Sequence, residues 1–271
     1  MNTRLRITIA AVVVPVAFLA INLINPDIPE FQQNKSVLIP LIIAALQAIL
    51  VAWVVEFKLK GERIFTVLAY PAVSIGVLLA FVDIVIRTSG NTLDRLSTLV
   101  VSALVLCVVT YILTSTMNIL NLASIQSIPL GQAGRAAHYV LTLIFSYFSF
   151  VLIINYEISV VIKYLAVFGV VFVYTFSALW TIALAYSQRF NSSLAIALLV
   201  TFVYMVLSVW PLDSFYLALF MVLVYYMSLG VALEVREIIG RWIWYEYTAI
   251  FIVILLLMLT TASWGVNGTI F

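Results

Sequence analysis

Of the 271 residues, 65% are hydrophobic and only 9% are charged, against roughly half and about 25% in an ordinary soluble domain, so a water-soluble fold is excluded. One Cys excludes a disulfide framework and any multi-cysteine metal site. A formal net charge of +2 leaves no electrostatic footprint for nucleic acid.

A bilayer's hydrocarbon core is about 30 Å thick and is crossed by about 20 apolar residues in a helix, because in lipid every backbone N–H and C=O must be bonded within the segment. Runs of that kind lie at 7–25, 37–57, 64–86, 96–117, 139–156, 164–186, 192–212, 214–233 and 242–264. They predict an all-α transmembrane bundle of nine spans forming one integral membrane domain over 1–271. The first run exceeds the 7 to 15 residues of a signal-peptide core, and Phe18 interrupts the small-residue pattern of a cleavage site, so it reads as a retained span.

In chain order, Gln47 stands near the middle of the second run beside Ala44, Ala48 and Ala52, whose four-residue spacing makes a small-residue stripe for close helix approach. In the third run Pro71 frees a carbonyl next to Tyr70, Ser74 and Gly76 and kinks the helix or shapes a cavity. Asp83, four residues before Arg87, is the acid placed deepest below the headgroups. Gln47, Tyr70, Pro71 and Asp83 are therefore the candidate intramembrane polar site. Helix-to-helix glue is the preferred role for Gln47, with a substrate contact the alternative, and neutralisation at the interface is the preferred role for Asp83, as for Glu56 with Lys60 and Glu237 with Arg241, with a proton relay the alternative.

Asn91, with Asp94 three residues on, has the pattern of an N-cap for the fourth helix. Polar residues at 118, 121, 124 and 127 predict an amphipathic extension of that helix with one wet face. Pro129, Gly131 and Gly134 then break it, and Arg135 and His138 lead into the fifth span as a solvated, cytoplasmic pair. Asn118, Asn121, Arg135 and His138 form the candidate cytoplasmic contact segment. The connection 155–163 holds neither Gly nor Pro; without that hairpin the count falls to eight spans. A charged stretch at 55–63 echoes one at 233–241, as in a parallel repeat or simply in two tight cytoplasmic hairpins.

Lys and Arg accumulate in cytoplasmic loops. Nine spans with the N-terminus inside and the C-terminus outside place nine of the 13 basic residues on the cytoplasmic side and four outside. The six Trp fall near span ends on the same topology, at the depth where an apolar ring with one N–H donor is best accommodated. No charge sits at the centre of a span, no Gly-x-Ser-x-Gly, P-loop or His-Glu-x-x-His pattern occurs, Cys107 has only apolar neighbours, and a single His builds no metal or haem centre. The expectation is a protein without an enzymatic motif that carries no cofactor or metal, a membrane enzyme ranking third behind a structural or assembly subunit and a transporter.

Thr116-Met117-Asn118-Ile119-Leu120-Asn121-Leu122-Ala123-Ser124-Ile125-Gln126, followed by Gly134-Arg135-Ala136-Ala137-His138, resembles an uncharacterised family of polytopic bacterial membrane proteins over about a tenth of the chain. The resemblance implies a multi-pass protein of the bacterial cytoplasmic membrane and assigns no site residues. The sequence thus reads as a structural or assembly subunit of a membrane complex, its partners the lipid bilayer and another membrane protein or further copies of itself. The alternative is an uncoupled small-molecule or lipid transporter with a cavity near Gln47, Tyr70 and Asp83.

Overall fold

A computed structural model of the chain describes residues 2–24, 29–57, 59, 61–88, 92–124, 130–182, 184–210, 212–234 and 241–261. Among these residues the chain is helical throughout, with no strand: α1 (Thr3–Ile24), α2 (Pro29–Val54), α3 (Glu62–Thr88), α4 (Thr92–Ala123), α5 (Gly131–Asn155), α6 (Val160–Trp180), α7 (Tyr186–Leu207), α8 (Ser214–Glu234) and α9 (Arg241–Thr261). Seven of them, α1 and α3 to α8, are long and apolar enough to cross a membrane, and Leu38–Val54 of α2 is a shorter apolar stretch. The chain is therefore compatible with a polytopic membrane protein. Asn91, Lys60, Pro129, Glu237 and the side chain of Arg87 lie outside the described residues.

Two compact units divide the chain, Met1–Leu141 and Thr142–Phe271. In the first, α2 packs on α3, α1 on α2 and α4, and α4 also on α2 and α3. In the second, α6 packs on α7 and α8, and α8 on α7 and α9. Both units expose large apolar side chains and bury polar ones within a mainly apolar core. Leu41, Val101, Leu104 and Val108 face outward and are more than half exposed, while Gln47, Ser74, Thr110, Thr114 and His138 are buried in the first unit. Ser146, Ser149, Thr175, Ser177 and Ser193 are buried in the second. Apolar outside and hydrogen-bonding inside suits hydrocarbon surroundings, where polar side chains are the groups that gain from meeting one another.

The α2–α3 hairpin is held close by the expected small residues. A Cβ added at Gly76 would stand 3.4 Å from the Ala44 Cβ and 3.8 Å from the Pro40 carbonyl oxygen, so the two backbones approach as a small-residue contact allows. The hairpin opens on a Schellman closure of α2. The Phe57 N–H donates to the Ala52 carbonyl at 2.8 Å and the Glu56 N–H to the Trp53 carbonyl at 3.1 Å, with Glu56 at φ 60° and Phe57 at φ 53°. That left-handed position normally belongs to Gly. Here its occupant Glu56 is engaged elsewhere: Arg6 of α1 reaches its Oε1 at 3.0 Å while lying over the Trp53 ring at 5.9 Å. The acid expected to pair with Lys60 along its own strand of chain thus ties α1 to the end of α2. Because the pair is partly solvated, it contributes about 0.2–1 kcal/mol, comparable to the roughly 1 kcal/mol cost of a side chain in the left-handed region. Glu56→Gly is expected to leave thermal stability in detergent within about 1 kcal/mol of wild type, because relief of strain offsets the lost pair, whereas Arg6→Ala lowers it by about 0.5–1 kcal/mol.

The break expected at Gly131 and Gly134 does not form there: α5 starts at Gly131 and carries both residues as helix. Gly costs a helix about 1 kcal/mol, but packing overrides that. A Cβ at Gly134 would fall 2.9 Å from Ile119 Cγ2 and 3.6 Å from Leu120 Cδ2, so the missing side chain is what lets α5 lie against α4. Gly134→Leu is expected to destabilise the protein by about 1–3 kcal/mol through overpacking, and Gly134→Ala by less, read as thermal unfolding in detergent. The 155–163 hairpin also forms, with α5 ending at Asn155 and α6 beginning at Val160. In place of Gly or Pro, the Lys163 ammonium donates to the Ile154 carbonyl at 2.7 Å, one of the carbonyls the helix end leaves open, while the Asn155 side-chain amide folds back to the Val151 carbonyl at 2.8 Å.

Candidate functional site: a buried polar column in the first unit

Three helices supply the column. On α4, Thr110 and Thr114 are four residues apart and so lie on one face; both are 0% exposed. From α2, Gln47, also 0% exposed, donates its amide to Thr114 Oγ1 at 3.2 Å. On α3, Ser74 is fully buried. The Gly76–Ala44 contact sets the register of the antiparallel hairpin, and at 1.5 Å rise per residue Gln47 and Ser74 come to nearly the same height. Gln47 Oε1, Ser74 Oγ and Thr110 Oγ1 are buried with no hydrogen-bond partner. Each such group forgoes roughly 1–3 kcal/mol relative to a satisfied one, a concentration of cost in a bundle that packs Leu and Val well elsewhere.

One turn below Ser74, Pro71 is buried within α3. It has no N–H to offer the carbonyl of Val67, so that helical bond is missing from α3. Tyr70, 0% exposed, meets the His138 imidazole edge to face, with ring centroids 4.3 Å apart and planes at 72°. His138 was expected to be solvated in a loop; it is 1% exposed, because α5 begins seven residues earlier and carries it inward. Asn121 likewise sits inside, 4% exposed with an unpartnered Oδ1, so residues 118, 121 and 124 do not make one wet face. Asn118 is half-buried and Arg135 exposed. α4 ends at Ala123, where the Arg63 guanidinium donates to the Ser124 carbonyl at 3.5 Å, a cation placed favourably against a helix C-terminus.

Of the four residues singled out for the intramembrane site, Gln47, Tyr70 and Pro71 belong to this column. Asp83 does not: it is half-buried on α3, thirteen residues and about 20 Å beyond Tyr70. Thr110 and Thr114 escaped the sequence reading, although the signal was present. Thr110, Thr114 and Asn121 recur at helical spacing in an otherwise apolar helix, the inverse of an amphipathic surface helix. The column holds hydroxyl and amide groups that both donate and accept, and one imidazole. Among the described residues there is no group of three or more His, Cys, Asp or Glu that could hold a metal ion.

In the second unit the buried polar groups bond mostly to their own helices, as with Ser146 to the Thr142 carbonyl and Ser149 to the Phe145 carbonyl, both at 2.7 Å. Ser149 also lies 3.3 Å from the Tyr174 hydroxyl. Arg189, 7% exposed at the start of α7 with Ser193 one turn on, is a buried cation that the sequence reading left in a loop. No protein-family model, no curated protein and no solved structure matches the chain.

Proposed function

We propose that the chain is a multi-pass membrane protein of nine spans, N-terminus on the cytoplasmic side and C-terminus outside, whose first unit passes a small uncharged polar solute by way of the column around Gln47, Ser74, Thr110 and Thr114, without catalysis. The observation that carries this reading is the set of buried, unpartnered oxygens on three different helices. Glue between helices is satisfied by the bond it makes; these atoms have donors and acceptors to spare, as a site does when its ligand is what completes it. The column contains no charged side chain, and a charge brought to mid-membrane depth is expensive, which favours a neutral solute over an ion. The resemblance in the α4–α5 segment supports a bacterial cytoplasmic membrane.

The test is osmotic. Vesicles containing the purified protein are shocked in turn with urea, glycerol and larger neutral polyols, and the re-swelling is followed by light scattering. At least one small solute is expected to enter ten or more times faster than into protein-free vesicles, and rates equal to protein-free vesicles for the whole panel would overturn the proposal.

A second reading, a structural or assembly subunit that docks another membrane protein or a further copy, keeps one observation. Gln132, Arg135 and Ala136 form an exposed face at the start of α5, whereas His138 and Asn121 lie inside the bundle and are not available to a partner. On that reading Arg135→Glu abolishes co-purification of a partner under mild extraction, while His138→Gln does not act through the docking face.

A further inference from the structure

The polar side chains of the first unit continue past Gln47 toward the end of the bundle where α3 begins and α4 ends. Thr66, Tyr70 and Ser74 recur every four residues along α3 and are all buried, so they line one face of that helix. On α4, Asn121 stands seven residues beyond Thr114 and continues the face of Thr110 and Thr114. It is 4% exposed, and its Oδ1 is buried with no hydrogen-bond partner. We infer that Asn121 is a second solute-binding residue on the cytoplasmic side of the column, and that the Tyr70–His138 ring pair is the constriction between the two positions and sets the size of solute that passes.

Three contacts fix the heights. The Arg63 guanidinium reaches the Ser124 carbonyl at 3.5 Å, which sets the start of α3 against the end of α4. Thr66 lies three residues in from Arg63 and Asn121 three residues back from Ser124, so these two are level. By the same count Tyr70 is level with Met117, and Ser74 with Leu113 beside Thr114, the height at which Gln47 donates to Thr114 Oγ1 at 3.2 Å. The third contact belongs to α5. Gly134 lies against Ile119 and Leu120, so His138, about one turn deeper, comes to the height of Tyr70, where their ring centroids are 4.3 Å apart. Thr114 and Asn121 are about 10.5 Å apart along α4 at 1.5 Å per residue, and the rings stand between them. All of these residues belong to the first unit.

The chemistry of the two positions matches. The unpartnered atoms include one amide oxygen at each, Gln47 Oε1 and Asn121 Oδ1, and an amide oxygen accepts without donating. Each is completed by a solute that brings an N–H or O–H, which points to small polyols and urea-like amides. A purely structural asparagine has a simpler course in this fold. Asn22 and Asn155 turn their amides back onto their own helices, donating to the Phe18 and Val151 carbonyls at 2.8 Å; the Asn121 amide makes no such bond among the described residues. Between the two oxygens the aromatic walls offer little to a polar solute, so passage there is decided by width, as in other solute pores.

The inference rests on the solute passage proposed above and adds where the solute stops and what limits its size. It is tested with the full-length protein in vesicles, shocked in turn with glycerol, erythritol, xylitol and sorbitol. Asn121→Leu, of nearly equal volume, is expected to slow glycerol entry at least about fivefold, the worth of one hydrogen bond, without moving the size limit along the series. His138→Ala removes one wall of the constriction and is expected to raise erythritol entry relative to glycerol at least about threefold, because bore width sets such ratios. His138→Asn, a smaller polar side chain, gives the same direction if the alanine variant does not fold. Glycerol entry unchanged by Asn121→Leu, or an erythritol-to-glycerol ratio unchanged in both His138 variants, would overturn the inference while wild-type entry leaves the proposed function standing. Wild-type vesicles that pass no solute of the series or of the urea panel would remove both together.

Discussion

Replacing Gln47 with Leu is expected to abolish solute entry into vesicles, at least tenfold, while leaving the thermal stability of the detergent-solubilised protein unchanged or slightly raised. The two effects separate because the side chain does two things. Its amide bonds to Thr114 Oγ1 at 3.2 Å, and interhelical bonds of this kind average about 0.6 kcal/mol in membranes. Its Oε1 is buried with no partner, at a cost of about 1–3 kcal/mol. Leu has nearly the same volume, removes both, and therefore gains at least as much as it loses. Were Gln47 simply glue, Leu would destabilise by about half a kcal/mol and solute entry would be untouched. Measuring both quantities on the same preparation distinguishes the two roles in sign.

Tyr70→Ala carries the largest expected structural effect, a loss of about 3–5 kcal/mol, the range for deleting a fully buried aromatic ring. Tyr70 is among the largest fully buried side chains and is the surface on which the His138 imidazole rests. Its removal opens a cavity beneath the first turns of α5 at the height where the Gly134 contact already places α5 against α4. Tyr70→Phe keeps the ring and is expected to stay within about 1.5 kcal/mol of wild type. Should Ala cost no more than Phe in a thermal or denaturant titration, the ring is not the support for α5 described here.

How much of this was legible in the sequence follows from what each feature depends on. The helices were legible because a span depends on composition alone, and runs at 64–86 and 214–233 match α3 and α8 within a few residues. The start of α5 was not. Gly131 and Gly134 carry the local signature of a break, and only the Ile119 side chain, which a Cβ at 134 would strike, explains why helix continues there. The same error displaced His138 from the core to a loop. Arg6 and Glu56 are fifty residues apart and share no motif, so their pairing appears only once α1 and α2 are placed side by side. Gln47, Tyr70 and Pro71 were legible as polar or helix-altering residues in apolar runs. Asp83 was placed with them as the acid deepest below the headgroups, but α3 carries it about 20 Å beyond Tyr70.

The central claim is that the polar interior of the first unit is reached by small solutes while its apolar exterior faces lipid. The chain's single cysteine, Cys107, makes one measurement direct. With Cys107→Ser as background, Thr110→Cys and Leu104→Cys are introduced separately on α4, and reaction with a small, uncharged, strongly polar thiol reagent of low membrane permeability is followed in sealed vesicles. The cysteine at 110, buried in the column, is expected to react and to be protected by a transported solute, while the cysteine at 104, on the outward face where Leu104 is 64% exposed, stays inert because lipid covers it. Reaction at 104 with none at 110 would contradict the account at its root, placing water where lipid is required and a closed core where the site is required.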